Sequence, residues 1–340
     1  MEKYITKEIS DKTIWEKYVL SQDPKTFLHS WNWGETAKIL GDKVYRIGFY
    51  KGKILFGVAL FIKQSAKRGP YLVVPGGPLI DWQNRGLVKA FIFTLKDLSR
   101  KENVWFVRMR PEVIDSDKDR LFFKKLNFAR APMHLHAENT WVLDIRKSEA
   151  ELLSGMRKNT RYLIRKSLTE DLSFEIDNSD RGIRMLFELQ KETVQRHKFL
   201  GFPEKLFSAQ MKTFGADGQM DLYIVKKASK PYVAAMIIYY GNYAYYHHSA
   251  SSLEATHSEA SYFMQWNVIK TAKTKGKTHY NFWGIAPANA KKHRFMGVTI
   301  FKRGFGGESV DWIPALDFVI SPLYFLTKTI ETFRKHFRGL

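Results

Sequence analysis

The stretch Phe301-Lys302-Arg303-Gly304-Phe305-Gly306-Gly307 sets a cation beside an aromatic ring. Glycines follow that let backbone approach a ligand closely. Such a stretch can hold an anionic or polarised oxygen where little water remains. The competing interpretation is a glycine-rich turn with a solvated lysine. Tyr280-Asn281-Phe282-Trp283-Gly284-Ile285 lies shortly upstream, and Trp283 and Phe305 give the region a pocket-like content of glycine and aromatic rings.

Other catalytic constellations are missing. The chain has no Gly-x-Ser-x-Gly elbow, no His-Glu-x-x-His helix and no P-loop. Cysteine is absent, which removes thiol nucleophiles, disulfides and thiolate metal sites. His247, His248, His257, His279 and His293 match no metal-ligand spacing, so no metal site is expected. The acyl-coenzyme A loop, Arg or Gln-x-x-Gly-x-Gly or Ala, has a near miss at Arg303 to Glu308. Glu308 stands where a small residue is needed and would repel a pyrophosphate, which disfavours that donor. A catalyst poor in acid–base groups but rich in cations and aromatics suits an acyl donor that is already activated. Attack of an amine on an aminoacyl ester is such a reaction, driven by positioning and oxyanion stabilisation.

The elements that must position these residues follow one order twice. In the first half, Ser30 to Leu40 reads as a helix. Val44 to Phe49 and Ile54 to Ile62 read as a hairpin, and Pro70 to Val74 as a strand that ends at Pro75-Gly76-Gly77-Pro78. Trp82 to Lys101 reads as a long helix and Val104 to Met109 as a buried strand. In the second half, Arg181 to Arg196 and Pro203 to Phe214 read as helices. Leu222 to Lys226 and Tyr232 to Tyr240 form a hairpin, and Tyr243 to His248 is a further strand. Thr256-His257-Ser258-Glu259 reads as a capping box opening a helix that runs to Gly276, and Thr278 to Trp283 as a strand. This repetition predicts a duplicated α+β fold of mixed α/β content. The expected divisions are residues 1–146, 147–314 and a C-terminal amphipathic helix, 315–340, that packs back on the first domain.

Net charge is +21, a field that attracts polyanions such as nucleic acid, anionic lipid head groups or phosphorylated substrates. Ser148 to Leu168 reads as one helix joining the halves. It carries Arg157, Lys158, Arg161, Arg165 and Lys166 with no acid among them, and Arg157, Arg161 and Arg165 share a face. The plain interpretation is a solvated face; an anionic partner would relieve the mutual repulsion. On the C-terminal helix Leu323, Phe325, Leu326, Ile330, Phe333 and Phe337 are apolar, and Lys328, Arg334, Lys335 and Arg338 are basic. Docking on the body of the protein is its first expected role, and a grip on an anionic membrane surface the second. There is no signal-peptide apolar region and no apolar run long enough to span a bilayer, so the expected location is the cytoplasm or the inner face of the membrane.

Taken in order along the chain, the motifs resemble those of the FemABX family of peptidyltransferases, which build the interpeptide bridge of bacterial peptidoglycan. The matching pieces are Phe27-Leu28-His29-Ser30 with Trp33-Gly34, and Pro75-Gly76-Gly77-Pro78 with Asp81. Arg157-Lys158-Asn159-Thr160-Arg161 with Ile164-Arg165-Lys166 follows, then Thr193 with Arg196, then the Tyr280 to Ile285 and Phe301 to Gly306 stretches. No coiled-coil insertion is visible, so the chain is similar to the family's compact members.

The resemblance implies two tandem GNAT-like (acyl-CoA N-acyltransferase-like) domains and no cofactor. It implies transfer of an amino acid from aminoacyl-tRNA, as co-substrate, to a stem-peptide amine of lipid II or UDP-MurNAc-pentapeptide. The family's Phe-Lys pair falls on Phe301 and Lys302, which become the catalytic residues. The arginine that grips the precursor diphosphate falls on Arg196, and a tyrosine lining the precursor groove on Tyr246. A lysine near the N-terminal tryptophan motif falls on Lys38; Trp283 and Arg303 complete the expected substrate site. Without the insertion, Arg157, Lys158, Arg161 and Arg165 become the tRNA surface. Two departures stand out. Arg110 precedes Pro111 where the family often has a carboxylate, and Asn281 stands where aspartate is frequent. Two other functions compete: an N-acyltransferase of the same fold with another donor, and a non-catalytic RNA- or membrane-surface-binding protein.

Overall fold

The fold, from a computed structural model, is described for residues 4–338 apart from 67–68, 198–199 and 291–292. The chain forms two compact units, Met1–Glu138 with Asp311–Leu340, and Asn139–Val310.

The first unit is built on strands β1 (Ile5–Glu8), β2 (Lys43–Lys51), β3 (Ile54–Ala66), β4 (Gly69–Pro75), β5 (Leu79–Ile80), β6 (Phe106–Arg110) and β7 (Phe128–Arg130). A strand from the far end of the chain, Leu316–Val319, is β15 in chain order. The sheet runs β1-β2-β3-β4-β6-β15-β7, with β5 on β3. β4 and β6 are parallel because a helix, α3 (Arg85–Lys101), crosses between them. Asn84 caps α3, and Leu87, Val88, Phe91, Leu95 and Leu98 form the stripe it lays on the sheet. Trp82, expected inside this helix, instead enters the core against Phe91 and Phe123.

Two of the family-like motifs meet inside this unit and hold it together. His29 is fully buried, with Nδ1 2.7 Å from the Pro75 carbonyl and Nε2 accepting from the Leu60 amide at 2.9 Å. Burial lowers its pKa to about 4, so the ring is neutral, Nδ1 carries the proton and both nitrogens are used. Gly77 lies against that ring, and a Cβ there would run into it.

The second unit contains β8 (Asn139–Asp144), β9 (Leu172–Ile176), β10 (Met220–Lys227), β11 (Lys230–Tyr240), β12 (Tyr243–Ser251), β13 (His279–Gly284) and β14 (Glu308–Asp311), in the order β14-β8-β13-β12-β11-β10-β9. Its helices are α5 (Glu149–Gly155), α6 (Lys158–Ser167), α7 (Asp180–His197), α8 (Glu204–Gln210), α9 (Ala260–Thr274) and α10 (Met296–Arg303). The hairpin β10–β11, the third strand β12, the helix α9 and the parallel strand β13 repeat the order of β2–β3, β4, α3 and β6. The duplication expected from the sequence is therefore present in both sheets.

Four boundaries differ from expectation. The units part at residue 138 rather than 146, because Asn139–Asp144 pairs with β13. Residues 148–168 are not one helix: α5 ends at Met156, and Arg157 starts α6 with its amide donating to the Gly304 carbonyl at 2.9 Å. The Thr256–Glu259 capping box does not form. The Glu259 carboxylate pairs with Lys166 at 2.6 Å, and its amide donates to Glu170.

Residues 315–340 are not helical throughout. Leu316–Val319 pairs antiparallel with β6 and β7, its alternation sending Leu316 and Phe318 to the core and Asp317 to the other face. Asp317 meets Arg108 there at 2.7 and 2.8 Å. Helix α11 (Tyr324–Arg338) is joined to the same group, since Glu331 accepts from Arg108 at 2.8 Å and Tyr324 donates to Asp317 at 3.0 Å. Among the described residues no helix is long and apolar enough to cross a membrane.

Candidate active site in the second unit

β12 and β13 pair in parallel only from Tyr243 to Tyr245 and His279 to Asn281. Just beyond, both strands are bulged. Met236 faces His248 and Ile237 faces Tyr246, which leaves His247 as the extra residue on β12. On β13 the register slips between Asn281 and Gly284, and Trp283 takes φ +66°. The Asn281 side chain holds this bend by accepting from the Trp283 amide at 2.8 Å. Bulges re-aim side chains, and a bulky residue in the left-handed region persists only where its surroundings hold it there. The rings of His247 and Trp283 meet edge-on at 5.5 Å.

Lys302 reaches the end of this bulge. It lies in the last turn of α10, is 6% exposed, and its Nζ donates to the Gly284 carbonyl at 2.6 Å. Burial lowers its pKa to about 7. It has no ion-pair partner among the described residues. Phe301 packs on Tyr262 and Phe305, at 5.0 and 5.2 Å between ring centres. Thr299 ties the same helix to the strand by accepting from the Ala286 amide at 2.8 Å.

The glycines after Lys302 serve the protein's own backbone. Gly306 and Gly307, at φ +81° and +94°, turn the chain from α10 into β14, and they pass against the carbonyls of Gly155 and Val142. The close approach expected for a ligand is made by those segments instead. Arg303 lies over the Trp141 ring at 5.3 Å, and Trp141 Nε1 donates to the Gly306 carbonyl at 2.7 Å. Arg303 therefore braces the turn, although its buried Nε has no acceptor.

Arg196, on α7, sits by the far end of β12. Its Nη2 donates to the Ser251 carbonyl at 2.6 Å and lies 3.0 Å from Ser251 Oγ. Nε and Nη1 are buried without an acceptor among the described residues. Buried guanidinium donors are costly to leave unpaired. Tyr246 is partly buried, and its hydroxyl is engaged by Ser249 and Gln265 within the protein. Lys38 belongs to the first unit, where it pairs with Glu35 at 2.9 Å.

The proposed RNA-facing cations divide. Lys158 and Arg165 are exposed with no ion-pair partner among the described residues. Exposed Arg157 reaches the Ile300 carbonyl at 3.4 Å. Arg161 turns inward and donates to the carbonyls of Ser154 and Met156, closing the end of α5. Of the histidines, His248 is buried between Phe202 and Phe207 with its pKa lowered to about 3 by burial, and His247 lies 3.3 Å from Gln210. Among the described residues no group of His, Asp and Glu is assembled that could hold a metal ion.

Sequence reasoning missed the Gly284 carbonyl, Thr299, Trp141, Gln210 and Ser251. No local signal in the sequence marks the bulge at His247, since a bulge is set by the pairing of two strands.

Two repeated halves, each with a hairpin, a third strand, a helix and a parallel strand, define a tandem GNAT-like fold. The FemAB family matches residues 10–121 and 223–332, and the chain belongs to that family. A lipid II:glycine glycyltransferase of Staphylococcus aureus (strain MRSA252) is 22% identical, and the match spans 93% of each chain. The crystal structure of FemX superposes with a TM-score of 0.83 at 19% identity, covering 95% of this chain and 100% of that one. A tandem GNAT protein from the clavulanic acid biosynthesis pathway gives a TM-score of 0.58 at 11% identity over 93% and 97% of the two chains.

Proposed function

We propose that this acyltransferase moves an amino acid from aminoacyl-tRNA onto the stem-peptide amine of a peptidoglycan precursor, extending an interpeptide bridge. The observation that carries the proposal is Lys302. With its pKa lowered to about 7, Lys302 is protonated in a large fraction of molecules at neutral pH, and in that form it has three donors. One is spent on Gly284, and the rest have no acceptor among the described residues. They suit the carbonyl oxygen of an aminoacyl ester. The acceptor amine adds to the ester carbon, negative charge collects on that oxygen, and collapse expels the tRNA ribose oxygen. The proton lost by the amine goes to the expelled oxygen, directly or through water. In a site this poor in water, Lys302 would stabilise the charge as it develops.

The remaining parts have consistent roles. Arg196 would take the precursor diphosphate on Nε and Nη1. Phe301 would hold Lys302 in register through its contacts with Tyr262 and Phe305. Lys158 and Arg165, with Arg157, would meet the RNA backbone. The ester is already activated, so no further cofactor is required, and charged tRNA sets the reaction on the cytoplasmic side. The lipid II:glycine glycyltransferase relative supports the acceptor class and the transfer of an amino acid. An acyl-coenzyme A donor is disfavoured because the Gly306–Gly307 turn is packed on Gly155 and Val142 and is followed by Glu308.

Replacement of Lys302 by Met tests the role. Turnover should fall by about a hundredfold or more, the loss typical when a donor to a developing oxyanion is removed, while thermal unfolding stays cooperative. Turnover within a few-fold of the unaltered protein would refute it.

A further inference from the structure

Helix α11 is docked the wrong way round for a helix whose apolar side belongs to the core. Its buried residues are Tyr324, Thr327 and Glu331, the last two of the polar kind that usually faces water. They sit in or beside the Arg108–Asp317–Glu331 group, which fastens the helix by charge and hydrogen bonds. Its large apolar residues are turned to solvent: Phe325 is 59% exposed, Leu326 58% and Phe333 63%, with Leu323 and Ile330 also exposed. A period of 3.6 residues places Phe325, Leu326 and Phe333 on the side opposite Thr327 and Glu331, with Ile330 at its border. An exposed apolar strip costs solubility, and such strips mark interaction surfaces.

We propose that this strip docks the protein onto an anionic lipid surface, lying in the plane of the head groups. Charge identifies the occupant. Lys328 and Arg334 are exposed beside the strip, and the helix's one carboxylate among its described residues, Glu331, is buried on the other side. Apolar side chains bordered by cations are the pattern of interfacial helices. The net charge of +21 adds long-range attraction to such a surface and repels a second copy of the same chain. The inference is independent of the transfer reaction, since it concerns where the first unit rests.

Sedimentation with vesicles tests it. The full chain is mixed with vesicles of phosphatidylglycerol and phosphatidylcholine, and separately with phosphatidylcholine alone. The same is done with a variant carrying Phe325→Ser, Leu326→Ser and Phe333→Ser. The protein should bind the anionic vesicles, more weakly at about 0.5 M salt. The variant should lose about tenfold or more in partitioning, with its thermal unfolding unchanged because the altered side chains are exposed. No binding by the unaltered protein, or equal binding by the variant, overturns the proposal. So does light scattering that shows the three substitutions converting a dimer to a monomer without loss of lipid binding, which would assign the strip to a second copy.

Discussion

Lys302 and Arg196 share one property, which is that neither has an acceptor for every donor among the described residues. Each spends part of its donor set on a backbone carbonyl, Gly284 for Lys302 and Ser251 for Arg196. That fixes the side chain and leaves the rest aimed elsewhere. Arg161 and Arg303 look similar in sequence, but Arg161 caps α5 and Arg303 lies over Trp141. The difference is geometric and is not written in residue type. For Arg196 the expected consequence is specific. Arg196→Lys keeps the charge but loses the planar fork that matches a diphosphate. It should raise KM for the diphosphate-bearing acceptor about tenfold or more with kcat little changed. Steady-state kinetics with the acceptor varied would show it; an unchanged KM removes Arg196 from the acceptor site.

At the scale of elements, the motifs sort into two kinds. Phe27-Leu28-His29-Ser30 and Pro75-Gly76-Gly77-Pro78 lie far apart in sequence yet lock together through His29. Their role is structural. Gly77→Ala drives a Cβ into the His29 ring, and overpacking of this kind should cost about 2 kcal/mol, measured as a lower urea midpoint. Stability equal to the unaltered protein would mean that the ring is free to move. The hairpins, the long helix α3 and the repeated order were legible in the sequence, because alternation and helical periodicity are local signals. The break at Met156–Arg157, the failed Glu259 cap and strand β15 were not. Each is decided by a partner distant in the chain: Gly304 for Arg157, Lys166 and Glu170 for Glu259, Arg108 for Asp317. Of the candidate site, resemblance to a family pointed to the Phe301–Lys302 pair and Arg196, whose roles the proposed substitutions test. The bulges that aim His247 and Trp283 were hidden, since a bulge is a property of two paired strands.

For the molecule as a whole, the charge of +21 has several outlets rather than one. Some cations are consumed internally, as Arg108, Arg161 and Arg303 are. Lys158 and Arg165 on α6 remain exposed for a polyanion, and Lys328 and Arg334 flank the apolar strip of α11. Among its described residues the second unit offers a positioned lysine and no acid–base dyad, which suits the proposed use of a donor that is already activated. The most direct measurement is transfer itself. Purified protein is incubated with a pool of tRNA charged with labelled amino acids, together with soluble and lipid-linked muropeptide precursors. The account predicts label on a precursor that disappears when the tRNA is first digested with ribonuclease. Label that survives the digestion, or none on any precursor, would contradict it.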